Sequence, residues 1–153
     1  MRDAVFRRTR SVEQKHIDHL GHVNNAVWLR FVVGLADAHS TALGFDFERL
    51  RALGGLWIVR RHEIDYDAPA FAGDELLEET WLEHMKGARS VRACRFTRPR
   101  DGALLLRALT TWAYCDFAEQ RPRRIPPEIL AAFPIATEPD GSPAGRASAK
   151  RAQ

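Results

Sequence analysis

The sequence predicts an α+β domain in which an antiparallel sheet carries one long helix on a face. Three observations carry that expectation. One amphipathic helical pattern spans residues 26–43. Four strand-like segments follow it, separated by short turns rich in Gly, Pro and Asp. Those connections are too short for helical crossovers, so neighbouring strands run antiparallel. The 153 residues suffice for one domain with its own core, and 45% hydrophobic with 28% charged residues is ordinary for a globular chain.

Taken in order, residues 5–15 read as a polar strand. In the helix, Trp28, Phe31, Val32, Leu35, Ala38 and Ala42 recur at helical spacing and form one apolar stripe. Asn24 or Asn25 can cap its start and Gly44 suits its end. Gly34 inside it costs about 1 kcal/mol relative to alanine, which close packing on a sheet explains better than room for a ligand. Strand segments 56–67, 75–86, 89–98 and 103–117 are bounded by Gly54-Gly55, Pro69, Gly73-Asp74, Gly87 and the hairpin turn at Asp101-Gly102. In the last, Leu104, Leu106, Ala108, Thr110, Trp112 and Tyr114 share one face. Residues 126–133, opening on Pro126-Pro127, read as a short helix. Residues 1–133 thus form a single domain, and 134–153, with three prolines and two glycines, read as a disordered tail.

Composition narrows the function classes. Met1–Ala4 lacks the apolar run of a signal peptide, and the apolar run Ala103–Leu106 is broken by Arg107. No membrane association is expected. Cys94 and Cys115 fall in strand segments and read as buried and reduced, which suits a cytoplasmic protein. A net charge of +3 does not argue for nucleic acid, although the arginine clusters could serve an anionic small molecule. No Gly-x-Ser-x-Gly elbow and no phosphate-binding glycine loop occurs.

The chemistry concentrates in His16-Ile17-Asp18-His19-Leu20-Gly21-His22-Val23-Asn24-Asn25, immediately before the helix. Backbone N–H groups at a helix start are unpaired and attract negative charge. Asp18 lies too far before the helix for an ordinary cap, which favours a carboxylate aimed at something else. His16, His19 and His22 with Asp18 raise a zinc site, but they precede the helix and no His-Glu-x-x-His pattern is present. Neither metal nor cofactor is expected.

The segment Asp18-His19-Leu20-Gly21-His22-Val23-Asn24-Asn25-Ala26-Val27-Trp28, followed by a long helix, resembles the hot-dog-fold acyl-CoA thioesterases of the 4-hydroxybenzoyl-CoA thioesterase-like group. Ile64 to Leu76, with Pro69-Ala70 and Gly73-Asp74-Glu75-Leu76, adds a second, weaker match. The resemblance implies a five-stranded antiparallel sheet wrapped around the helix. It also implies dimers, often paired into tetramers, with active sites at the dimer interface. Asp18 matches the reacting aspartate, acting as nucleophile on the thioester carbonyl or as general base for water. Asn25 falls where a backbone N–H polarises the thioester oxygen. His22 matches an assisting histidine of acyl-carrier-protein relatives, Asn24 shapes the site, and Trp28, which stands where the family often has tyrosine, is with Phe31 a candidate to line the acyl pocket or to join the core. His16 replaces a frequent aspartate, Leu20 replaces an asparagine of the carrier-protein enzymes, and Val33-Gly34 stands where relatives often have glutamate. Lys86, Arg89, Arg121, Arg123 and Arg124 are candidates for the phosphates of coenzyme A, which enters as part of the substrate. The alternatives are a hot-dog dehydratase on hydroxyacyl thioesters and a non-catalytic acyl-thioester binding module.

Overall fold

The computed structural model describes residues 3–136. The elements run β1 (Phe6–Ser11), α1 (Asn25–Ala42), α2 (Phe47–Ala52), β2 (Gly55–Tyr66), β3 (Glu75–Lys86), β4 (Arg89–Arg98), β5 (Ala103–Asp116) and α3 (Pro127–Ala132). The strands form one antiparallel sheet in the order β1-β3-β4-β5-β2, leaving β1 and β2 as its edges. This is the hot-dog arrangement, with α1 packed on one face of the sheet.

The helix pattern becomes a buried stripe. Val27, Trp28, Phe31, Val32, Leu35 and Ala36 are buried, and they pack with Leu76, Cys94, Phe96, Leu106 and Ala108 from the sheet. Each large side chain withdrawn from water contributes roughly 1.5–3 kcal/mol. A second apolar cluster, Phe45, Leu82, Tyr114, Ile125, Ile129 and Phe133, lies toward the C-terminal end of α1. Thr80, Arg92, His39, Thr110 and His62 make a polar band between the two clusters. Arg92 donates to Thr80 and His39, and His62 bonds Thr110. Glu78, fully buried on the same face, is held by Arg8 and Arg10 of β1.

Element boundaries fall within a residue or two of those read from the pattern, except β1, which is shorter than 5–15. Helix α2 was not anticipated. It is only six residues long, too short to show a period, and Asp46 caps it by accepting the Arg49 N–H at 2.8 Å. Register shifts at Val59/Arg61, Leu82/His84 and Phe96/Thr97 break the strict alternation of the strands. One explains why Leu105, off the predicted face of β5, is buried as well.

Residues 135 and 136, which the expected tail includes, pair with the sheet. Ile135 bridges Leu82 in parallel, and the Ala136 N–H donates to the Leu82 carbonyl at 2.8 Å, so this stretch takes up the sheet edge that β1 leaves. Residues 137–153 of that tail lie outside the described residues. The packing reason for Gly34 also weakens. A Cβ built there would meet only the Arg8 guanidinium, at an ordinary 3.9 Å. Both cysteines are free and buried.

Candidate active site

Residues 17–23 form a tight loop closed by a bridge between Ile17 and Val23. The Asp18 N–H donates to the His22 carbonyl at 3.1 Å, and the Gly21 N–H returns to the Asp18 carbonyl at 3.0 Å. Gly21 makes the turn with φ +84°, a conformation that side chains with a Cβ rarely adopt. The loop leans on the β2–β3 connection, where the Val23 N–H donates to the Ala70 carbonyl at 2.9 Å. That connection is itself pinned. Buried Asp74 accepts the Phe71 N–H at 2.9 Å and Arg98 at 2.8 Å, and Arg98 also reaches the Pro69 carbonyl. The second sequence match, around Gly73-Asp74, therefore holds up the loop rather than taking part in chemistry.

Asp18 is half-buried. One carboxylate oxygen accepts the Leu20 N–H at 2.8 Å and the other accepts the Asn24 carboxamide at 3.3 Å. A carboxylate offers about four lone-pair sites, so two remain for a reactant. Asn24, not Asn25, caps α1. Its carboxamide oxygen accepts the Ala26 N–H at 2.8 Å. The Asn25 N–H has no partner among the described residues, and the Asn25 side chain is exposed. The loop thus carries a fixed carboxylate, joined through Asn24 to a helix start whose first N–H is open, and acyl transfer uses these two kinds of group.

The histidines diverge. His22 stands edge-on to Phe71 with ring centres 6.5 Å apart, and no hydrogen bond joins its ring to Asp18 among the described residues. His16 accepts the Glu13 N–H at Nδ1 and packs edge-on to Phe31, and burial lowers its pKa. His19 is exposed. No group of three His, Cys, Asp or Glu side chains among the described residues is placed to hold a metal ion. Trp28 sits in the core, 3% exposed and edge-on to Phe31 and Phe96.

The basic candidates gather at the other end of the sheet. Lys86 pairs with Arg89 at the β3–β4 turn, and the Ile125 N–H donates to Gly87 there, which brings the 121–124 segment alongside. Arg123 is partly engaged by the Gly54 carbonyl at 3.0 Å and Asp116 at 3.6 Å. The strands between the two ends are 10–14 residues long, so these cations and Asp18 belong to opposite ends of strands roughly 30–45 Å in contour length.

Near that far end lies a cavity of about 350 Å³ between α1, α2 and the sheet, lined among others by Asp37, Trp57, Ser90, Arg92, Trp112 and Phe133. Sequence reasoning assigned none of these a role. The signal was an arginine, Arg92, alternating with Cys94 and Phe96 on the apolar face of β4.

A search of curated proteins found no match. Solved structures share the fold. The chain is 20% identical to a 1,4-dihydroxy-2-naphthoyl-CoA thioesterase from Synechocystis, with TM-score 0.77 over 84% of this chain and 95% of that one. It is 17% identical to a DHNA-CoA thioesterase from Staphylococcus aureus, with TM-score 0.77 over 84% and 88%. An acyl-ACP thioesterase from Bacteroides thetaiotaomicron is 20% identical, with TM-score 0.72 over 80% of this chain and 50% of that one. The sequence model of the thioesterase-like superfamily matches residues 12–133, and the chain belongs to that family.

Proposed function

We propose that this chain hydrolyses acyl-CoA thioesters to a free acid and coenzyme A, with Asp18 as the reacting carboxylate. The class, thioester hydrolase, follows from the family. The observation that carries the assignment is the pairing of Asp18, fixed through Asn24, with the unpartnered Asn25 N–H at the start of α1. The helix N-terminus carries a partial positive charge, and it stabilises the oxyanion that forms when the thioester carbonyl becomes tetrahedral. Asp18 either attacks that carbonyl, expelling coenzyme A as its thiolate and leaving a mixed anhydride that water hydrolyses to the free acid, or takes a proton from the water that attacks and displaces the thiolate. His22, at the rim of the loop, assists by shaping the corner against Phe71.

The separation of Asp18 from the basic cluster favours a homodimer as the working unit. β2 is an open sheet edge. Two copies joined antiparallel along β2 set the Tyr66 end of one strand beside the Gly55 end of the other. The Asp18 loop, which packs against residues just after Tyr66, then lies beside the Lys86, Arg89 and Arg121–Arg124 end of the second copy. Guanidinium forks there suit coenzyme A phosphates. Thioesters of the acyl carrier protein named in one structural relative are the second substrate form to assay. No helix among the described residues is long and apolar enough to cross a membrane.

The deciding experiment is a thiol-release assay over a panel of acyl-CoA esters with wild type and Asp18→Asn. The variant is expected to fold with unchanged circular dichroism and to lose turnover by roughly 10²–10⁴-fold, the scale of a lost acid–base group. Near-normal turnover in the folded variant removes Asp18 from the mechanism.

A further inference from the structure

Arg92 is 8% exposed, and among the described residues no carboxylate lies within ion-pairing distance of it. The other arginines buried or half-buried on this sheet have acids: Arg8 and Arg10 hold Glu78, Arg95 holds Glu79, and Arg98 holds Asp74. The hydrogen-bond partners of Arg92 are neutral, and the acid that acts on its charge, Asp37, does so through space from beyond ion-pair distance. Arg92 Nη1 donates to His39 Nδ1 at 2.9 Å and to Thr80 Oγ1 at 3.1 Å. Two of its five N–H groups are thereby used. A buried guanidinium with no ion-pair partner is costly to keep.

The rest of the cavity points the same way. Trp112, which lines it, has a buried indole N–H with no partner. Both open polar functions are donors, so they call for an acceptor, and the guanidinium charge calls for an anion. The walls are apolar and aromatic, from Trp57, Met85 and Phe133. Two acids, Asp37 and Asp46, also line it; desolvation raises the pKa of Asp37, which weakens it as a counter-charge to Arg92, whose own charge acts the other way. Asp46 is occupied in capping α2. A volume of about 350 Å³ holds about a dozen non-hydrogen atoms at roughly 30 Å³ each.

We propose that this cavity receives the far end of an acyl group that terminates in a carboxylate, with Arg92 as the residue that selects it. The thioesters turned over are then half-thioesters of dicarboxylic acids. This rests on the thioesterase reading and deepens it. Leu56 and Trp57, which line the cavity, stand at the Gly55 end of β2, so β2-edge pairing brings this side of it beside the Asp18 loop of the second copy. The carboxylate docks on Arg92 while the thioester carbonyl stays at the helix start.

The test compares kcat/KM for adipyl-CoA and hexanoyl-CoA, matched in length, in wild type and Arg92→Met. Wild type is expected to favour adipyl-CoA by about tenfold or more. Arg92→Met is expected to lower adipyl-CoA turnover by roughly 10–100-fold, the scale of a lost charge-assisted hydrogen bond, and to leave hexanoyl-CoA turnover unchanged. No preference in wild type, or an equal loss on both substrates, overturns the proposal. Should Arg92→Met fail to fold, Trp112→Phe keeps a ring and deletes only the indole N–H. A several-fold loss confined to adipyl-CoA supports the proposal there, and an unchanged preference overturns it. If folded wild type turns over no thioester, the thioesterase reading falls. A titration of wild type with free adipate, followed by tryptophan emission, then decides the site alone: saturation supports it and a flat response overturns it.

Discussion

The Asn24 carboxamide ties Asp18 to helix α1: its nitrogen donates to the Asp18 carboxylate at 3.3 Å, and its oxygen accepts the Ala26 N–H at 2.8 Å. One side chain therefore caps the helix and aims the carboxylate. The two duties separate in Asn24→Asp. Aspartate caps as well as asparagine, so the melting temperature should stay near that of wild type. It donates nothing to Asp18, and two carboxylates at hydrogen-bond distance share a proton. Turnover should fall, and the acidic limb of the pH–rate profile should move to higher pH. Asn24→Ala should instead lower stability by about 1 kcal/mol through the lost cap. A wild-type profile in Asn24→Asp would deny any coupling between the two side chains.

The fold was legible because two periods dominate the chain. The stripe on α1 and the turn residues between strands place six elements within a residue or two. What escaped has a physical reason. Helix α2 is too short to display a period, and the register shifts in β2–β5 break alternation where the backbone bends. At the site, Asp18 and the helix start are local in sequence and were readable together. The 16–22 histidines looked like one cluster only because sequence spacing in a loop says nothing about direction. Arg92, Trp112 and Trp57 come from three strands and meet only through register, which no single segment reveals. Trp28 was drawn to the site by its motif, whereas its place on the stripe put it in the core.

The basic end should act on the phosphates and nowhere else. Arg121→Ala with Arg124→Ala should raise KM for an acyl-CoA by several-fold and leave the pantetheine thioester of the same acid unchanged. Arg123 is left intact because it also holds the Gly54 carbonyl. Contacts between exposed charges are screened by salt, so the wild-type KM for acyl-CoA should rise with ionic strength and that of the double variant should rise less. Equal losses on both substrates would place these arginines in folding rather than recognition.

Two glycines should respond in opposite senses to alanine. At Gly55 an added Cβ would lie 2.2 Å from the Tyr114 ring. That ring is fully buried in the second core cluster and cannot retreat. Gly55→Ala should destabilise by roughly 1–3 kcal/mol, the usual cost of overpacking. At Gly34 the added methyl meets only the Arg8 guanidinium at 3.9 Å, so the helix-propensity gain of up to about 1 kcal/mol should appear. Thermal melts of both variants check this. A Gly34→Ala chain that melts lower than wild type would mean the position is covered by something outside the chain, such as a second copy.

His39 should make stability depend on pH. Burial, reinforced by the charge of Arg92, lowers its pKa from the ordinary 6.5 to about 4. Its Nδ1 accepts from Arg92, which only the neutral ring can do. Between about pH 6.5 and 4 the unfolded chain therefore binds a proton that the folded chain refuses. Stability from this group is complete above pH 6.5 and is lost as pH falls toward 4, at up to about 1.4 kcal/mol per pH unit. His16 and His62 are lowered in the same direction by burial and add to the slope. The informative measurement is thus a difference. His39→Gln keeps an acceptor for Arg92 and cannot titrate, so its urea-unfolding free energy should fall less steeply than wild type between pH 6.5 and 5. Superimposable slopes would show that His39 is protonated in the folded chain and that its bond to Arg92 is not made.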